Sequence, residues 1–421
     1  MISSDTPRPQ NQSCPAGGTN SHHSGERGVI VAPPCGNTDP YTVLHCGFDT
    51  LTLAIKATLP REMLTMLEDG KARAEAEGKS VEVDINGVPL MLQHYGGAGY
   101  QFIASGGRFG ASWSFKKPKP KDPWGVRLSF GSDFLVHRGI GGAIAHIEHA
   151  MHRFGMRFDD QDVSLSRVDF CADFLAPDFD LNPDQFVMHS SCLRHDFKTD
   201  LEKSVHGRSS RTSSVTIGAI RNRQVIVYDK RSEVLKRKKA HWWTIWNTAL
   251  AVQGLAQLDP TNRNLSQVWR IEIRAGKDQL KDRWNIRTFP DFFARIGDLC
   301  RHTVDMVRYT EPLPNDANRS RWPNHPIWES FRHVVEHDLS EMRSQADPDR
   351  TKEVNKEQHM STILLNIIGC SVTLGALNEQ TFEDLPAFFA ETASEMGKKV
   401  QERPEKYAKL LEDAKARYRF V

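Results

Sequence analysis

Apolar and polar residues recur along the chain with periods that mark its elements. The run YTVLHCGFDTLTLAI (41–55) is rich in Thr, Val, Leu and Phe and predicts a strand. REMLTMLEDGKARAEAEG (61–78) has helical spacing and stops at a glycine. VEVDINGVPLML (81–92) predicts a hairpin turning at Asn86-Gly87, and GYQFIASG, ASWSFKK and GVRLSFG predict further strands. In GGAIAHIEHAMHRFG (141–155), Ile144, Ile147, Met151 and Phe154 follow the spacing of one helix face. VSLSRVDFCADFLA (163–176), SSVTIGAI (213–220), QVIVYDK (224–230) and VWRIEIRAG (268–276) read as strands. This is not the regular alternation that builds a doubly wound parallel sheet. Clustered strands, NG-type turns and a few helices predict an α+β fold, an antiparallel sheet with packed helices over residues 41–290. From Pro290 the strands stop, and residues 291–421 read as a mainly helical C-terminal region, with a Pro/Asn/Arg-rich linker at 310–326. Residues 1–40, rich in Ser, Pro, Gly, Asn and His, predict a disordered tail.

Composition narrows the class. The 421 residues are 39% hydrophobic and 26% charged, as in soluble globular proteins. We read no apolar run approaching the roughly 18 residues of a membrane helix, and no signal peptide in MISSDTPRPQNQ. The expectation is therefore no membrane partner. Cys14, Cys35, Cys46, Cys171, Cys192, Cys300 and Cys370 are scattered with no CxxC, which argues against a disulfide framework or zinc finger and for a reduced, cytoplasmic protein. The net charge of +2 says little. Its distribution says more, because Arg194 to Lys239 holds thirteen Lys/Arg against five Asp/Glu. Such a stretch suits a phosphate backbone, or else a solvated loop and helix face.

The candidate chemistry lies on strand faces. Strand alternation puts Arg167, Asp169, Cys171 and Asp173 on one face and Val168, Phe170, Ala172 and Phe174 on the other. VWRIEIRAG repeats the theme with Arg270, Glu272 and Arg274. If the two strands are neighbours, Asp169, Asp173 and Glu272 offer three oxygen ligands for Mg²⁺ or Mn²⁺, with arginines to meet phosphate. The same spacing also suits a solvent-facing face of ion pairs. In QVIVYDKRSE, Tyr228 and Lys230 share a face, followed by Arg231 and Glu233. A tyrosine hydroxyl attacks a phosphodiester when its oxyanion is stabilised, although a strand tyrosine is more commonly a packing residue. Lys236, Arg237, Lys238 and Lys239 precede His241, Trp242 and Trp243, so lysines can hold phosphate while a tryptophan stacks on a base.

GFDTLTLAI, SLSRVDFCADF, the VTIGAIRNRQVIVYDKRSE pair and VWRIEIR, in that order over residues 41–290, resemble the trans-acting Rep family. That family contains rolling-circle replication initiators of small plasmids and phages and relaxases of integrative elements. The resemblance implies a metal-dependent, DNA-nicking domain with a tyrosine nucleophile. Carried onto this chain, the acidic strand positions are Asp169 and Asp173, the later carboxylate Glu272 and the tyrosine Tyr228. Arg167, Arg221, Arg223, Arg231, Arg270 and Arg274 are the candidate DNA contacts, with the basic run 236–239. One departure stands out: Gly218-Ala219-Ile220-Arg221 lacks the serine of the family's glycine–serine–arginine turn. The expected partners are an origin hairpin and its single strand, a host helicase and polymerase, and a second copy in a homodimer. The product would be a 5′-phosphotyrosine link and a free 3′-hydroxyl. A conjugative-type relaxase and a non-catalytic origin-binding regulator are the alternatives.

Two histidine patterns compete. His333-Val334-Val335-Glu336-His337 matches the inverted zinc-protease motif HxxEH, provided a helix puts both histidines on one face. His146, His149 and His152 step by three and drift around their helix, which reads as an amphipathic helix with polar histidines.

Overall fold

The structure, a computed structural model, describes residues 41–189, 203–208, 211–337, 339 and 347–418. The tail expected over residues 1–40 and the start of the basic stretch lie outside the described residues. The chain opens with a long strand, β1 (Thr42–Ile55), and then α1 (Arg61–Glu77). Short strands follow: β2 (Val81–Ile85), β3 (Val88–Leu92), β4 (Phe102–Ser105), β5 (Ser112–Phe115) and β6 (Val126–Phe130). Helix α2 (Ser132–Arg153) leads into the second long strand, β7 (Val163–Leu175). After β8 (Phe186–Met188), β9 (Lys203–Arg208), β10 (Arg211–Gly218) and β11 (Arg223–Asp229) come α3 (Lys230–Lys236), α4 (His241–Val252) and β12 (Val268–Gly276). The rest is α5 (Phe289–Met306), β13 (Val307–Tyr309), α6 (Pro326–Glu336), α7 (Pro348–Leu377), α8 (Leu385–Glu402) and α9 (Pro404–Tyr418).

Strands β2-β3-β4-β5-β6-β1-β7-β12-β11-β10-β9 form, in that order, one sheet of 11 strands, and β8 pairs with β13. Every pairing is antiparallel, so the fold is α+β as the clustered strands predict. Asn86 (φ 52) and Gly87 (φ 85) both take left-handed backbone at the β2–β3 turn, the geometry that asparagine–glycine supplies best. Helix α2 starts earlier than its apolar stripe suggests. A break at Gly139 (φ 60, ψ −167) joins the predicted helix to a preceding turn that begins at Ser132.

The two sheet faces differ sharply. Phe48, Val168, Phe170, Phe174, Ile271 and Ile273 make one apolar face, which packs on α5 and α6 through Phe292, Trp328, Phe331 and Val335. Helices beyond residue 290 thus share the sheet's core. The stretch read as a linker is also tied down: Arg308 donates to the carbonyls of Ser320 and Trp322 and to Asn324 Oδ1. The opposite face carries charges. Three irregularities shape it. The register of β1 against β7 shifts between Val43 and His45, between Phe48 and Thr50 and between Thr52 and Leu53. An extra residue in a strand re-aims its side chains. Asp49 and Thr50 therefore both face the charged side, as do Ser166 and Arg167, while Leu51 and Leu165 return to the core.

The C-terminal helices correct one expectation. The segment Asp349–Leu377 is one helix, with an 18-residue window of mean hydropathy 1.8 of which 11% is buried. It is long and apolar enough, by length and composition, to cross a membrane. Asn366, Ser371, Thr373 and Gly375 break its sequence into short apolar pieces, which hid the run. Thr351, Asn355 and Ser371 are buried, whereas Leu364, Leu365, Ile367 and Leu377 are exposed. Near its start, α7 rests on α4, where Gln358 Oε1 accepts from the Ala240 amide. Helix α9 reaches back to α1 through Asp413 with Lys79 and Lys409 with Glu77.

Candidate active site

The charged face is built by register. Opposite one another on β7 and β12 stand Asp173 and Arg270, Cys171 and Glu272, and Asp169 and Arg274. On the far side of β12, Arg270 faces Tyr228 of β11, and Tyr228 faces Ser214 of β10. Period-2 alternation puts all these side chains on the face away from the phenylalanine core.

Arg270 is the hub. Its Nε donates to Asp173 Oδ1 at 2.5 Å, its Nη2 to Asp173 Oδ2 at 2.9 Å and its Nη1 to Asp49 Oδ1 at 2.6 Å. The Trp246 indole N–H donates to Asp173 Oδ2 at 2.9 Å, and Trp242 lies 4.5 Å from the guanidinium and 4.6 Å from Lys230 Nζ. Burial pushes the Asp173 carboxyl up, but the Arg270 guanidinium outweighs it and holds the group below the usual range. Asp169 accepts from Arg167 at 2.5 and 3.0 Å, and Glu272 Oε1 accepts from Arg274 Nε at 2.6 Å. Burial wins at both of these. Asp169 is raised despite Arg167, and Glu272 is raised by burial and then by the Asp49 charge.

Beside this cluster lies an open pocket of about 700 Å³, lined by Asp49, Tyr228, Lys230, Glu272 and Arg274 and by Asp229, Glu233, Lys236, Arg237 and Lys239. Burial pushes the Tyr228 hydroxyl well above its ordinary value, so it is a neutral phenol at neutral pH. Burial, followed by the Arg270 charge, lowers the Lys230 ammonium. Lys230 begins α3 rather than ending the strand, yet its Nζ still lies 5.7 Å from the Tyr228 ring and 2.8 Å from Glu233 Oε2.

The structure thus brings together Tyr228, Lys230, Glu272 and Arg274. It does not gather Asp169, Asp173 and Glu272 into one ligand set: each engages a guanidinium, and Asp173 is fully buried beneath Arg270 and Trp246. Among the described residues, no group of three His, Cys, Asp or Glu could hold a metal ion. Three of the arginines expected to meet DNA are buried. Arg223 is one; Arg231 donates to Ser266 Oγ and the Pro260 carbonyl; Arg270 holds the two aspartates. Arg167, Arg221, Arg274, Lys236, Arg237, Lys238 and Lys239 remain at the surface or in the pocket. Trp242 is fully buried over Arg270 and Lys230, so it is no platform for a base. The HxxEH pattern fails as a helical pair, because α6 ends at Glu336 and His337 is already extended (φ −80, ψ 172). His146 packs among Trp113, Phe130 and Phe134.

Asp49 is the residue that alternation missed. The bulge that aims it into the pocket breaks the period on which the strand was read.

No family model matches the chain, and no curated protein does. Among solved structures, the chain is similar to a rolling circle replication initiator protein from Geobacillus stearothermophilus. The two share 13% identity with a TM-score of 0.35, over 71% of this chain and 97% of that one.

Proposed function

We propose that this chain binds DNA and cuts one strand through Tyr228, in the manner of a rolling-circle replication initiator. The observation that carries the reading is the pocket itself. A phenol lines it together with five cations, Lys230, Arg274, Lys236, Arg237 and Lys239, and four carboxylates, Asp49, Glu272, Asp229 and Glu233, the last of which pairs with Lys230, Arg237 and Lys239. Cations beside the phenol hold a phosphodiester and neutralise charge as it develops at phosphorus.

Tyr228 Oη forms a bond to phosphorus while the bond from phosphorus to the 3′-oxygen breaks. The phenolic proton leaves to water in the open pocket, helped by the Arg270 charge, which favours the phenolate. The 3′-oxygen departs with its electron pair and takes a proton from Lys230. Burial lowers the Lys230 ammonium, which makes it a readier proton donor than an exposed lysine. The products are a 5′-phosphotyrosine and a free 3′-hydroxyl.

The residues fit a hard divalent cation in one specific way. Burial raises the Glu272 carboxyl, and the negative charges of Asp49 and Asp169 add to that rise against the pull of Arg274. Mg²⁺ is commonly held by one or two carboxylates plus phosphate and water rather than by a closed protein cage. Asp49 and Glu272 each give one oxygen to an arginine, Oδ1 to Arg270 and Oε1 to Arg274, and through the other oxygen they would hold Mg²⁺ or Mn²⁺ there, where the ion would polarise the phosphoryl oxygens.

The test is incubation of the protein with supercoiled plasmid carrying its own origin, with and without Mn²⁺, followed by denaturation and mapping of any DNA–protein adduct. A metal-dependent adduct on Tyr228, absent in Tyr228→Phe, is the expected result. An adduct on another tyrosine, or none with active protein and the true origin, overturns the assignment.

A further inference from the structure

A second cavity of about 620 Å³ opens on the same face of the sheet, beyond the ion pairs of Asp169 with Arg167 and Arg274. It is lined by Thr50, Thr52, Arg127, Ser129, Ser166, Arg167, Ile220, Arg221, Gly276, Lys277 and Asp278. Its composition differs from that of the tyrosine pocket. Cations Arg127, Arg167, Arg221 and Lys277 stand against a single carboxylate, Asp278, and hydroxyls come from β1, β6 and β7. Arg127, Arg221 and Lys277 are exposed, and none of them forms an ion pair among the described residues. The floor is ordered: Thr52 Oγ1 and Ser129 Oγ are 2.9 Å apart, and Ser166 Oγ donates to the Thr52 carbonyl at 3.1 Å.

One apolar side chain stands in this polar setting. Ile220, at the β10–β11 turn, is 54% exposed. The turn is held firmly: the Gly276 amide donates to the Asn222 carbonyl at 2.7 Å and the Asp278 amide to the Arg221 carbonyl at 3.0 Å. A Cβ on Gly276 would lie 2.3 Å from the Ile220 carbonyl oxygen, so glycine allows the turn to lie against β12. A rigid turn thus presents a branched apolar side chain beside cations and hydroxyls. Cations hold a sugar–phosphate backbone by neutralising its phosphates, and an apolar side chain beside them offers a surface for a base.

We propose that this second cavity binds the backbone of an unpaired DNA strand, with Ile220 packed against one of its bases. Resting on the strand-cutting reading above, it places the strand on a path across the sheet. One end lies at Tyr228 and the continuation at Arg127, Arg221 and Lys277, with Arg167 and Arg274 between.

The test uses the full chain carrying Tyr228→Phe, so that binding is read without cutting. Anisotropy of a labelled single-stranded oligonucleotide is followed against salt. A blunt duplex of the same length, and an oligonucleotide carrying a fluorescent adenine analogue, run in parallel. Unfolding midpoints of the surface variants confirm that they fold. Arg127→Ala, Arg221→Ala and Lys277→Ala together should reduce the salt slope by about 2, at about 0.7 for each single-strand phosphate neutralised. Ile220→Ala should weaken single-strand binding about fivefold with the slope unchanged, as expected when part of a buried aliphatic group is removed, and should lower the emission of the analogue. Wild-type affinity and slope in the triple variant, or an equal loss on blunt duplex, would overturn the proposal. The two readings separate cleanly. A Tyr228 adduct in a chain whose groove variants bind normally refutes the groove alone. Loss of strand binding in those variants, with no adduct in the parent, refutes the nucleophile alone.

Discussion

Replacing Arg270 by methionine keeps most of the side-chain stem and removes the guanidinium that joins Asp173 to Asp49. Arg270 and Asp173 are both 0% exposed, so the remaining carboxylate cannot turn to water. Removing one partner of a buried pair costs about 3–5 kcal/mol, because an uncompensated charge is left behind. The Trp246 indole still donates to Asp173 Oδ2 at 2.9 Å, and a hydrogen bond to a charged group is worth about 1.5–3 kcal/mol, so the lower end of the range applies. We expect Arg270→Met to lower unfolding free energy by about 3 kcal/mol at pH 7. The double replacement Arg270→Met, Asp173→Asn should recover much of it, since a neutral amide no longer needs a counter-charge. The pH dependence has a definite sign. In the wild type, Asp173 is held below its ordinary range, so its contribution is present above the unfolded carboxyl value and lost as pH falls through the folded one. In Arg270→Met the largest opposing charge is gone, and burial, countered only by His45, Lys230 and the Trp246 N–H, lifts the carboxyl, so the penalty grows as pH rises and shrinks on acidification from pH 7 to 5. Urea unfolding followed by tryptophan fluorescence at both pH values reads this, with Trp242 and Trp246 as neighbouring reporters. A cost under about 1 kcal/mol, the range of exposed pairs, or no recovery in the double variant, would refute the buried hub.

Other outcomes follow from the same geometry. Glu272→Gln should raise stability at pH 7, because a carboxyl raised on folding is penalised when ionised, and it should also abolish metal-dependent nicking; urea midpoints and the plasmid assay read the two effects. Gly276→Ala puts a Cβ 2.3 and 2.4 Å from the Ile220 and Arg221 carbonyl oxygens. It should cost about 1–3 kcal/mol as an overpacked site, with limited proteolysis now cutting near residues 219–222. Alanine at Lys236, Arg237, Lys238 and Lys239 should weaken duplex binding alike for any sequence, lowering the salt slope by up to about 0.9 for each phosphate that is no longer neutralised. An unchanged slope would make that run a solvated turn.

Much of the fold was legible because its signals are local. The asparagine–glycine turn follows from its tolerance of left-handed backbone, the phenylalanine side of β7 and the arginine–glutamate side of β12 follow from period-2 patterning, and the pairing of β7 with β12 put their charges on one face as expected. The site was legible only in part, because charges at strand spacing do not reveal their partners. Asp169, Asp173 and Glu272 offer ligand oxygens in the sequence, but Asp169 and Glu272 pair with Arg167 and Arg274 of their own strands, the ion-pair alternative of that spacing, and Asp173 meets Arg270 across the sheet. Arg223, Arg231 and Trp242 look like surface groups, and tertiary packing buries them. Asp49 stayed hidden for the opposite reason: a bulge turns it into the pocket, and bulges are set by the pairing of two strands rather than by either one.

The pattern of those pairings places the unbalanced charge. Asp173 faces Arg270 and Asp169 faces Arg274, whereas Glu272 faces Cys171. Burial raises that thiol well above its ordinary value, so it stays neutral and brings no cation to Glu272. Glu272 then relies on Arg274, which Asp169 shares at 3.7 Å, while Asp49 adds a further negative charge nearby. Arg270 is likewise shared, between Asp173 and Asp49, so the negative charge these two guanidiniums leave over lies at Glu272 and Asp49, which both line the pocket that holds Tyr228. A phosphodiester alone would be repelled there. A divalent cation would make that same spot attractive to phosphate, which is why the proposed chemistry needs metal for cutting while the basic walls suffice for binding. Strand binding should therefore persist in chelator, and nicking should stop.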